Sequence, residues 1–423
     1  MTTAIENDLL TRVEGDAPMG RLIRHYRWIP FTESDHLKHG DAPLPVRILG
    51  EHYVAFRAED GQIGFLDELC PHRRASLLLA RVEGDGLRCI YHGWKIDASG
   101  RVLECPTQTV RAEQFAARVP VACYPVHEAG GLAWVWLGGG SVPAFPDLPF
   151  SDPQLYRFWC TSRVPCNWLQ GLEGSVDSVH AGVLHQTWIA EAAKLAEHSN
   201  LSFTLDQPPT YETEATSYGL RAAALRRMAD GRTYVRITEH LLPLVTVVPV
   251  GGSLPRSGTA FVICPVDDTH HLLFFGNFGE TPHRAETLDR SAMQDPAYEP
   301  DPFDYTGLRG DRLDAWGQDR GLMRAGHFTG FGRSLLEEDA VVQTSMTPIV
   351  DRSKEHLSSS DVAVAHLRRM LLEALSDLDA GLPPVGSVRT AGSVRLPNAS
   401  EVLVDHDARW QDASLSATTY RTP

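Results

Sequence analysis

The sequence has too few cysteines for its length to be held together by disulfides. Its 423 residues include seven, and an odd number in a chain that can bury a large core argues against a disulfide framework. We therefore expect reduced thiols, which remain free to bind metal. The seven are Cys70, Cys89, Cys105, Cys123, Cys160, Cys166 and Cys264.

The sequence also lacks an excess of positive charge. It has 39 Lys and Arg against 54 Asp and Glu, a formal net charge of -15. Because nucleic-acid binding depends on clustered basic side chains, no nucleic-acid partner is expected. A small anionic substrate remains compatible with this balance, since a few buried arginines can hold one inside an acidic protein.

Long hydrophobic runs are missing as well. The most apolar stretch, LLPLVTVVPV at 241–250, is too short to cross a bilayer and contains proline. The opening residues, MTTAIENDLLTRVEGDAP, lack the apolar core of a secretory signal. We expect a cytoplasmic protein with no membrane partner.

What the sequence does contain divides into three parts and predicts an α+β protein. Residues 1–42 are expected to form an arm that packs on the C-terminal domain. Residues 43–150 alternate apolar and polar side chains between glycine turns, as in a small all-β domain. The proline-rich stretch VPAFPDLPFSDP at 142–153 is typical of a linker. Residues 151–423 are expected to form the second domain.

The second domain is predicted to combine one antiparallel sheet with helices. Strand-like segments between about 201 and 280 supply the sheet. Helical patterns occur in NWLQGLEGSVDSVHAGVLH at 167–185 and near 333–348 and 360–379.

Two pairs of possible metal ligands lie sixteen residues apart, at predicted turns between strands. Cys70-Pro-His72 and Cys89-Ile-Tyr-His92 each offer one sulfur and one nitrogen. A zinc ribbon normally uses two Cys-x-x-Cys pairs, whereas two thiolates and two imidazoles fit a [2Fe–2S] cluster with histidines on one iron. The alternatives are a structural zinc site and a chance pairing among 18 histidines. The pattern favours the cluster.

A second set of candidate ligands lies in SVDSVHAGVLH at 175–185. Asp177 and His180 are three residues apart and can touch on a regular helix. His180 and His185 are about 140° apart around an ideal helix, so they converge on one metal only if the helix bends between them. Gly182 lies there, and we predict an irregularity near it. The alternative is a regular helix with two unrelated histidines.

A third ligand is predicted in LLEEDAVVQTSM at 335–346. At about 100° per residue, this helix places Asp339 within an apolar face, with Glu337 and Glu338 outside that face and in solvent. The apolar residues of the face are Leu335, Leu336, Val342 and Met346. A buried carboxylate has to be paired or bind metal. Asp339 therefore either completes a two-histidine, one-carboxylate site for non-haem Fe(II) or forms an ion pair with an arginine.

Taken together, these motifs make the chain resemble the Rieske non-haem iron oxygenases, and within them the phthalate dioxygenase-like group. The resemblance covers most of the sequence and implies an N-terminal Rieske [2Fe–2S] domain followed by a helix-grip catalytic domain. It is carried by LTRVEGDAPMG at 10–20, CPHRRASL at 70–77, CIYHGW at 89–94, NWLQGLEGSVDSVHAGVLH at 167–185 and EEDAVVQTSMTPIVDRSKEHLSSSD at 337–361.

The resemblance also implies a role for each candidate ligand. The cluster would be held by Cys70, His72, Cys89 and His92, and the mononuclear iron by His180, His185 and Asp339. Asp177 would be the family's bridging carboxylate, bonded to His180 on one side and to a cluster histidine of a neighbouring subunit on the other. Members of this group assemble as homotrimers or stacked trimers.

The sequence departs from the naphthalene dioxygenase-like branch at Glu173-Gly174, where that branch has Glu-Asn. Glycine removes a side-chain amide near the iron, so conclusions about oxygen geometry in that branch do not transfer to this chain.

The implied activity is that of the terminal oxygenase component of a multicomponent system. No G-x-G-x-x-G follows a strand, so the electrons have to come from a partner, an NAD(P)H-dependent reductase with flavin and iron–sulfur centres. With O₂, the enzyme would hydroxylate a small aromatic substrate, expected to be carboxylated, by ring dihydroxylation. The alternative is an O-demethylating monooxygenase of a methoxylated aromatic acid. A more remote alternative is that the protein is a Rieske electron carrier without oxygenase activity.

A carboxylate substrate requires a cation, preferably an arginine that can bond both oxygens. Arg221 and Arg236 in the predicted sheet are the candidates. The alternative is that they face solvent, as strand arginines usually do.

Overall fold

The computed structural model describes residues 2–195, 209–249, 256–281, 301, 303–304, 308–389 and 394–412. The chain divides into two compact units. One consists of Met1–Arg12 together with Pro146–Pro423, and the other of Val13–Phe145. In the described residues, no helix is both long and apolar enough to cross a membrane.

The regular structure of the unit Val13–Phe145 consists mainly of short antiparallel strands. The strands pair in the orders β1-β10-β9, β2-β3-β4 and β5-β6-β7-β8. Their bounds are β1 Ile29–Glu33, β2 Leu44–Ile48, β3 Glu51–Arg57, β4 Ile63–Asp67, β5 Arg81–Glu83, β6 Gly86–Arg88, β7 Lys95–Asp97, β8 Val102–Glu104, β9 Val126–Ala129 and β10 Leu132–Val135. Two helices join them, α2 Pro18–Tyr26 and α3 Ala112–Ala116, and α1 belongs to the other unit.

The turns of this unit follow from their sequences. Between β7 and β8, Asp97 Oδ1 accepts the backbone N–H groups of Ser99 and Arg101, both at 2.9 Å. Gly100 completes the turn at φ 81°, a conformation that residues with a Cβ rarely adopt.

Residues 1–42, expected to form one arm, are divided between the two compact units. Only Met1–Arg12 belongs to the unit that contains the C-terminal part of the chain. Strand β1 instead pairs with β10, with Ile29 opposite Val135. β1 is an edge strand with a register shift between Pro30 and Thr32, and proline is tolerated at edges and bulges.

The larger unit is an antiparallel sheet with helices, as predicted. Its strands run in the order β11-β17-β16-β15-β14-β13-β12, and β18 also pairs with β14. The strand bounds are β11 Tyr156–Val164, β12 Thr210–Ala215, β13 Gly219–Arg227, β14 Arg232–Leu241, β15 Val245–Val248, β16 Gly258–Asp267, β17 His270–Gly279 and β18 Ser400–Asp405. The helix bounds are α1 Ala4–Thr11, α4 Trp168–Val176, α5 Val179–Leu184, α6 Gln186–Leu195, α7 Arg320–Arg324, α8 Leu335–Ser345 and α9 Val362–Asp379.

One face of this sheet carries the helices. Ser175 Oγ of α4 lies 2.8 Å from Thr246 Oγ1 of β15, and Gly171 of α4 lies against the ring of His271 on β17. Further along the sheet, Thr213 Oγ1 of β12 lies 2.9 Å from Nδ1 of His366 on α9. Because side chains alternate across a strand, these contacts identify which residues of each strand face the helices.

A buried ion network fixes α4 to the neighbouring helices. Arg352 donates to Glu173 at 2.9 Å and Arg368 donates to the same carboxylate at 2.7 Å. Arg352 also donates to Asn7 Oδ1 of α1 at 3.2 Å. Burial alone would raise the pKa of Glu173, yet the two guanidinium groups hold it below its usual value. The network therefore contains an ionised carboxylate and holds α4 in place.

Candidate functional site

The four cluster ligands predicted from the sequence come together on two loops of the same shape. In the first loop, Cys70 N–H donates to Ala75 O at 2.9 Å and Arg74 N–H donates to Cys70 O at 3.0 Å. In the second, Cys89 N–H donates to Trp94 O at 2.8 Å and Gly93 N–H to Cys89 O at 2.9 Å.

The thiols of this site lie inside and the imidazoles lie near the surface. Cys70 and Cys89 are buried and free, and burial together with the Cys89 thiol raises the pKa of Cys70 to about 11. The rings of His72 and His92 are 4.5 Å apart and partly exposed. Nδ1 of His72 is buried and has no hydrogen-bond partner among the described residues. Two inner thiols, two outer imidazoles and an unused ring nitrogen fit a [2Fe–2S] cluster with mixed ligands.

Aromatic side chains cover this site unequally. The ring of Trp94 stacks on His72 at 4.7 Å with an interplanar angle of 5°, and its Nε1 donates to Thr107. Tyr91 lies 3.8 Å from the His92 ring but is 55% exposed, so it lies at the surface of the site.

The segment 167–185 is helical as predicted, but its irregularity lies elsewhere. The predicted break near Gly182 is wrong, because Gly182 lies inside α5. Asp177 ends α4 in an extended conformation, with φ -75° and ψ 112°. His185 follows α5 with φ -94° and ψ 14°, outside helical geometry. The chain therefore turns at His185 itself, and this turn lets its ring converge with that of His180.

His180, His185 and Asp339 form a compact group of possible metal ligands. Asp339 Oδ1 lies 3.6 Å from His180 Nε2 and 3.2 Å from His185 Nε2. One ligand atom from each residue lies within 4.8 Å of the other two. The two rings are nearly perpendicular, at 80°, with centroids 5.3 Å apart. Two imidazoles and one carboxylate converging from one side fit the facial site of a non-haem ferrous ion.

Each histidine of this group has a carboxylate on the opposite side of its ring. Asp177 Oδ2 lies 3.4 Å from His180 Nδ1, as predicted for neighbours three residues apart. Glu338 Oε2 lies 2.8 Å from His185 Nδ1. Glu338 was predicted to lie in solvent and not behind a ligand.

The predicted solvent exposure of Glu337 and Glu338 is wrong. Helix α8 is buried around most of its circumference, and the two side chains are 3% and 0% exposed. Met346, predicted to lie on the apolar face, is 43% exposed. Helical periodicity assumes one solvent-facing side and therefore cannot reveal carboxylates that are buried with polar partners. Asp339 was found because it interrupts an apolar stripe, whereas nothing in the pattern distinguished Glu338.

The electrostatics of the group favour ionised carboxylates around a basic imidazole. Burial alone would lower the pKa of His185, but Asp339 and Glu338 raise it to about 9. Burial alone would raise the pKa of Asp339, yet the two histidines hold it below its usual value. The pKa of Asp177 is likewise held down, by His180 and by backbone N–H groups, against the effect of burial. This charge pattern suits a divalent cation.

Of the two candidate arginines, only Arg236 lies near this group. Arg221 donates to Glu239 at 2.9 Å and to Glu214 at 3.2 Å, so its charge is already compensated, and substrate binding by Arg221 stays a prediction. Arg236 is buried on β14 and donates to Ser178 Oγ at 3.1 Å. Ser178 lies between Asp177 and His180 in the sequence.

Gly174, where the other branch has asparagine, lies beside an amide from α8. A Cβ at Gly174 would lie 3.0 Å from Gln343 Nε2, and Gln343 is 9% exposed. A side chain from another helix therefore occupies the space that glycine leaves open.

Family models match both units of the chain. Residues 141–421 match the model described as LigXa C-terminal domain like, and residues 27–125 match the Rieske [2Fe-2S] domain.

Curated relatives match over nearly the full length. The phthalate 4,5-dioxygenase oxygenase subunit of Pseudomonas putida is 36% identical, over 97% of this chain and 94% of its own. The 3-chlorobenzoate-3,4-dioxygenase oxygenase subunit of Comamonas testosteroni is 33% identical over 98% of both chains. The 5,5'-dehydrodivanillate O-demethylase oxygenase subunit of a Sphingobium strain is 30% identical, over 92% of this chain and 84% of its own.

Solved structures agree with the fold. Dicamba monooxygenase bound to dicamba superposes with a TM-score of 0.57 at 19% identity, covering 85% of this chain and 99% of its own. NdmA of Pseudomonas putida CBB5 superposes with a TM-score of 0.58 at 20% identity, covering 93% and 99%.

These findings confirm the predicted fold class, cofactors and class of activity. The protein carries a Rieske [2Fe–2S] cluster and a mononuclear iron, and it is an O₂-dependent oxidoreductase. It is the oxygenase component of a multicomponent system and receives its electrons from a reductase. The chain belongs to the Rieske non-haem iron oxygenases, in the phthalate dioxygenase-like group.

Proposed function

We propose that each compact unit holds one iron centre. In the unit Val13–Phe145 the cluster ligands are Cys70, His72, Cys89 and His92, and in the other unit the mononuclear iron ligands are His180, His185 and Asp339. The convergence of the second set within 4.8 Å supports this assignment. When bound, the cluster supplies single electrons and the ferrous ion supplies the oxygen chemistry.

Asp177 is the residue that connects the two kinds of centre. Its carboxylate is held ionised, contacts His180 Nδ1 at 3.4 Å and remains 26% exposed on its other side. That exposed side would receive a cluster histidine of a neighbouring subunit in a homotrimer or a stacked pair of trimers. Asp177 thus positions His180 and supplies the acceptor for a second imidazole across the subunit contact.

The substrate is an aromatic carboxylate, and Arg236 binds its carboxylate. This guanidinium is buried on the helix-facing side of the sheet and donates to Ser178 Oγ at 3.1 Å. Ser178 lies two residues before His180 in the sequence. A buried cation beside the ligand set is the single observation that carries this proposal, because it would orient a planar acid with its ring toward the iron. The names of two relatives, phthalate and 3-chlorobenzoate dioxygenases, refer to aromatic acids.

The reaction is ring dihydroxylation. Two electrons from the reductase and two protons combine with O₂ and the arene, and both oxygen atoms enter the product as a cis-diol. The reductase is NAD(P)H-dependent and carries flavin and iron–sulfur centres. The protein positions the ring and excludes water, while the cofactors supply the oxidising chemistry.

O-demethylation is the second candidate reaction, favoured by the dehydrodivanillate O-demethylase relative at 30% identity. In that reaction one oxygen atom leaves as water. The other oxidises the methyl carbon, which departs as formaldehyde and leaves a phenol.

A coupled assay with a surrogate reductase distinguishes these reactions. Phthalate, 3-chlorobenzoate, methoxybenzoates and phenoxybenzoates are offered in turn, and diol and formaldehyde are quantified. Diol without formaldehyde supports dihydroxylation, and formaldehyde in proportion to O₂ consumed supports demethylation. Tight coupling only to neutral aromatics would contradict the carboxylate assignment.

The role of Arg236 has its own test. Arg236→Gln should raise KM for the best acid by about 10–100-fold, the loss expected for a charge-assisted hydrogen bond, and should abolish discrimination against its neutral methyl ester. Arg227→Gln, on the same sheet but exposed, is the matched control and should leave KM unchanged. Equal KM values for the two variants would remove Arg236 from the substrate site.

A further inference from the structure

The two histidines of the mononuclear site have different partners behind their rings. His180 faces Asp177, which is partly exposed, at 3.4 Å. His185 faces Glu338, which is completely buried, at the shorter distance of 2.8 Å. The first carboxylate lies at the end of α4, and the second precedes Asp339 in α8.

Both oxygens of Glu338 are engaged. Oε2 contacts His185 Nδ1, and Oε1 accepts a hydrogen bond from the Thr329 hydroxyl. Thr329 also accepts the backbone N–H of Phe331 at 3.2 Å, which fixes the hydroxyl. The carboxylate is therefore held at both ends, and a buried acidic side chain held in this way is pre-organised for one partner.

This contact determines how His185 presents its ring. A carboxylate oxygen beside Nδ1 of His185 favours a proton on that nitrogen, which would leave the Nε2 lone pair available to a metal ion. Nε2 is the atom that faces Asp339 Oδ1 at 3.2 Å. Carboxylates behind a metal-bound imidazole fix the ring and make it a stronger ligand, and their loss typically costs 10–100-fold in metal affinity.

We propose that Glu338 is a positioning residue that retains the mononuclear iron by fixing the tautomer and orientation of His185. The inference rests on the proposed ligand set. It separates the two carboxylates by role: Asp177 serves communication with the cluster, and Glu338 serves retention of the metal.

Glu337 provides a matched control for Glu338. It is the preceding residue of the same helix, it is 3% exposed, and its carboxylate accepts the backbone N–H of Arg333 at 3.1 Å. It makes no recorded hydrogen bond to a histidine among the described residues. Glu337→Gln therefore reports the general effect of removing a buried carboxylate from α8.

The experiment measures how fast iron leaves the assembled protein. Parent, Glu337→Gln, Glu338→Gln and Glu338→Ala proteins are purified with both centres, exposed anaerobically to a ferrous chelator, and followed by the colour of the chelate. The visible absorption of the cluster in the same sample shows that the protein remains folded and that the released metal is mononuclear.

Release from Glu338→Gln should be faster than from the parent, and release from Glu338→Ala faster still, by about 10–100-fold. Glu337→Gln should release iron at close to the parental rate. Glutamine has the same shape but can present an amide NH₂ group in place of an acceptor oxygen, so it weakens the preference for a proton on Nδ1 of His185. It therefore remains informative even where the alanine variant does not fold.

Two outcomes overturn the proposal, and they can be told apart. Parent protein with an intact cluster but no chelatable iron would refute the ligand set, and the role of Glu338 with it. Parent protein with chelatable iron, and Glu338→Gln releasing it no faster than Glu337→Gln, would leave the ligand set in place and refute the role of Glu338 alone.

Discussion

At the scale of single residues, the site depends on carboxylates that stay ionised while buried. Burial alone would raise the pKa values of Glu173, Asp177 and Asp339, and in each a cationic or hydrogen-bonding neighbour lowers the pKa again. Glu239 differs, because burial raises its pKa to about 7 despite the contact with Arg221. Asp339 and Asp177, at and beside the metal position, and Glu173, in the ion network of α4, therefore stay ionised. Glu239, in the sheet, is partly neutral near pH 7.

The substitution Asp177→Asn tests the proposed connection between the centres. It should leave cluster and mononuclear iron bound, because neither is held by Asp177. Turnover should fall by roughly 100-fold or more, as expected when a group that aligns two reacting centres is lost. Metal analysis and reductase-coupled turnover measure the two effects, and a variant that turns over at the parental rate would exclude a bridging role.

Glu239 should make stability depend on pH. Its folded pKa of about 7 exceeds the ordinary value of 4.5, so the folded state binds the proton more tightly and the free energy of unfolding falls as pH rises between these values. This difference in pKa corresponds to roughly 3 kcal/mol of unfolding free energy. Tyr218, Arg221 and Glu214 are the groups that face this carboxylate.

Glu239→Gln is neutral at every pH and should lose this dependence. The stability of the variant relative to the parent should increase as the pH rises from about 5 to about 8. Denaturant unfolding of both proteins at the two pH values measures the change. A stability difference that does not vary with pH would show that Glu239 is ionised throughout.

At the scale of elements, the sequence predicted regular segments well and their junctions poorly. The helices near 333–348 and 360–379 occur as α8 and α9, because long periodic patterns identify them. The break at Asp177 and the turn at His185 were not located, since glycine was taken as the weak point of the helix. Tertiary contacts determine such junctions, here the ion network on Glu173 and the hydrogen bond from Arg236 to Ser178.

The candidate ligands could be recognised in the sequence, but the residues around them could not. Closely spaced Cys–His and Asp–His pairs are visible in the sequence, and Asp339 stands out on an apolar stripe. Glu338 and Gln343 come from a helix buried on several sides, and a single sequence gives no signal for polar groups whose partners lie far along the chain.

Helix α4 offers a paired test of how closely it packs on the sheet. A Cβ at Gly171 would lie 2.4 Å from Nε2 of His271. The His271 ring is fully buried, and its Nδ1 forms a hydrogen bond with Cys166 O. A Cβ at Gly174 would meet only the end of the flexible Gln343 side chain. Gly171→Ala should therefore cost about 1–3 kcal/mol, whereas Gly174→Ala should be close to neutral.

Thermal unfolding of the two alanine variants measures this difference directly. Both substitutions gain the same helix propensity, so the comparison isolates the clash with His271. Equal stability of the two variants would mean that α4 lies farther from β17 than the structure shows.

At the scale of the whole molecule, the protein divides two chemistries between two compact units. The small strand-rich unit brings two thiols and two imidazoles together on paired loops. The larger unit brings two imidazoles and a carboxylate together from α5, the residue that follows it, and α8. The fold class followed from the sequence because strand and helix patterns occupy separate stretches of the chain. The extent of the N-terminal segment did not, because β1 finds its partner strand about a hundred residues later.

Iron and acid-labile sulfide, measured in anaerobically purified parent and in Asp339→Ala, test the central claim most directly. The parent should contain about three iron atoms and two sulfides per chain, and the variant about two of each, with the EPR signal of the reduced cluster unchanged. An Asp339→Ala protein that keeps the third iron, or that loses the cluster together with it, would contradict two separate iron centres held by the proposed ligands.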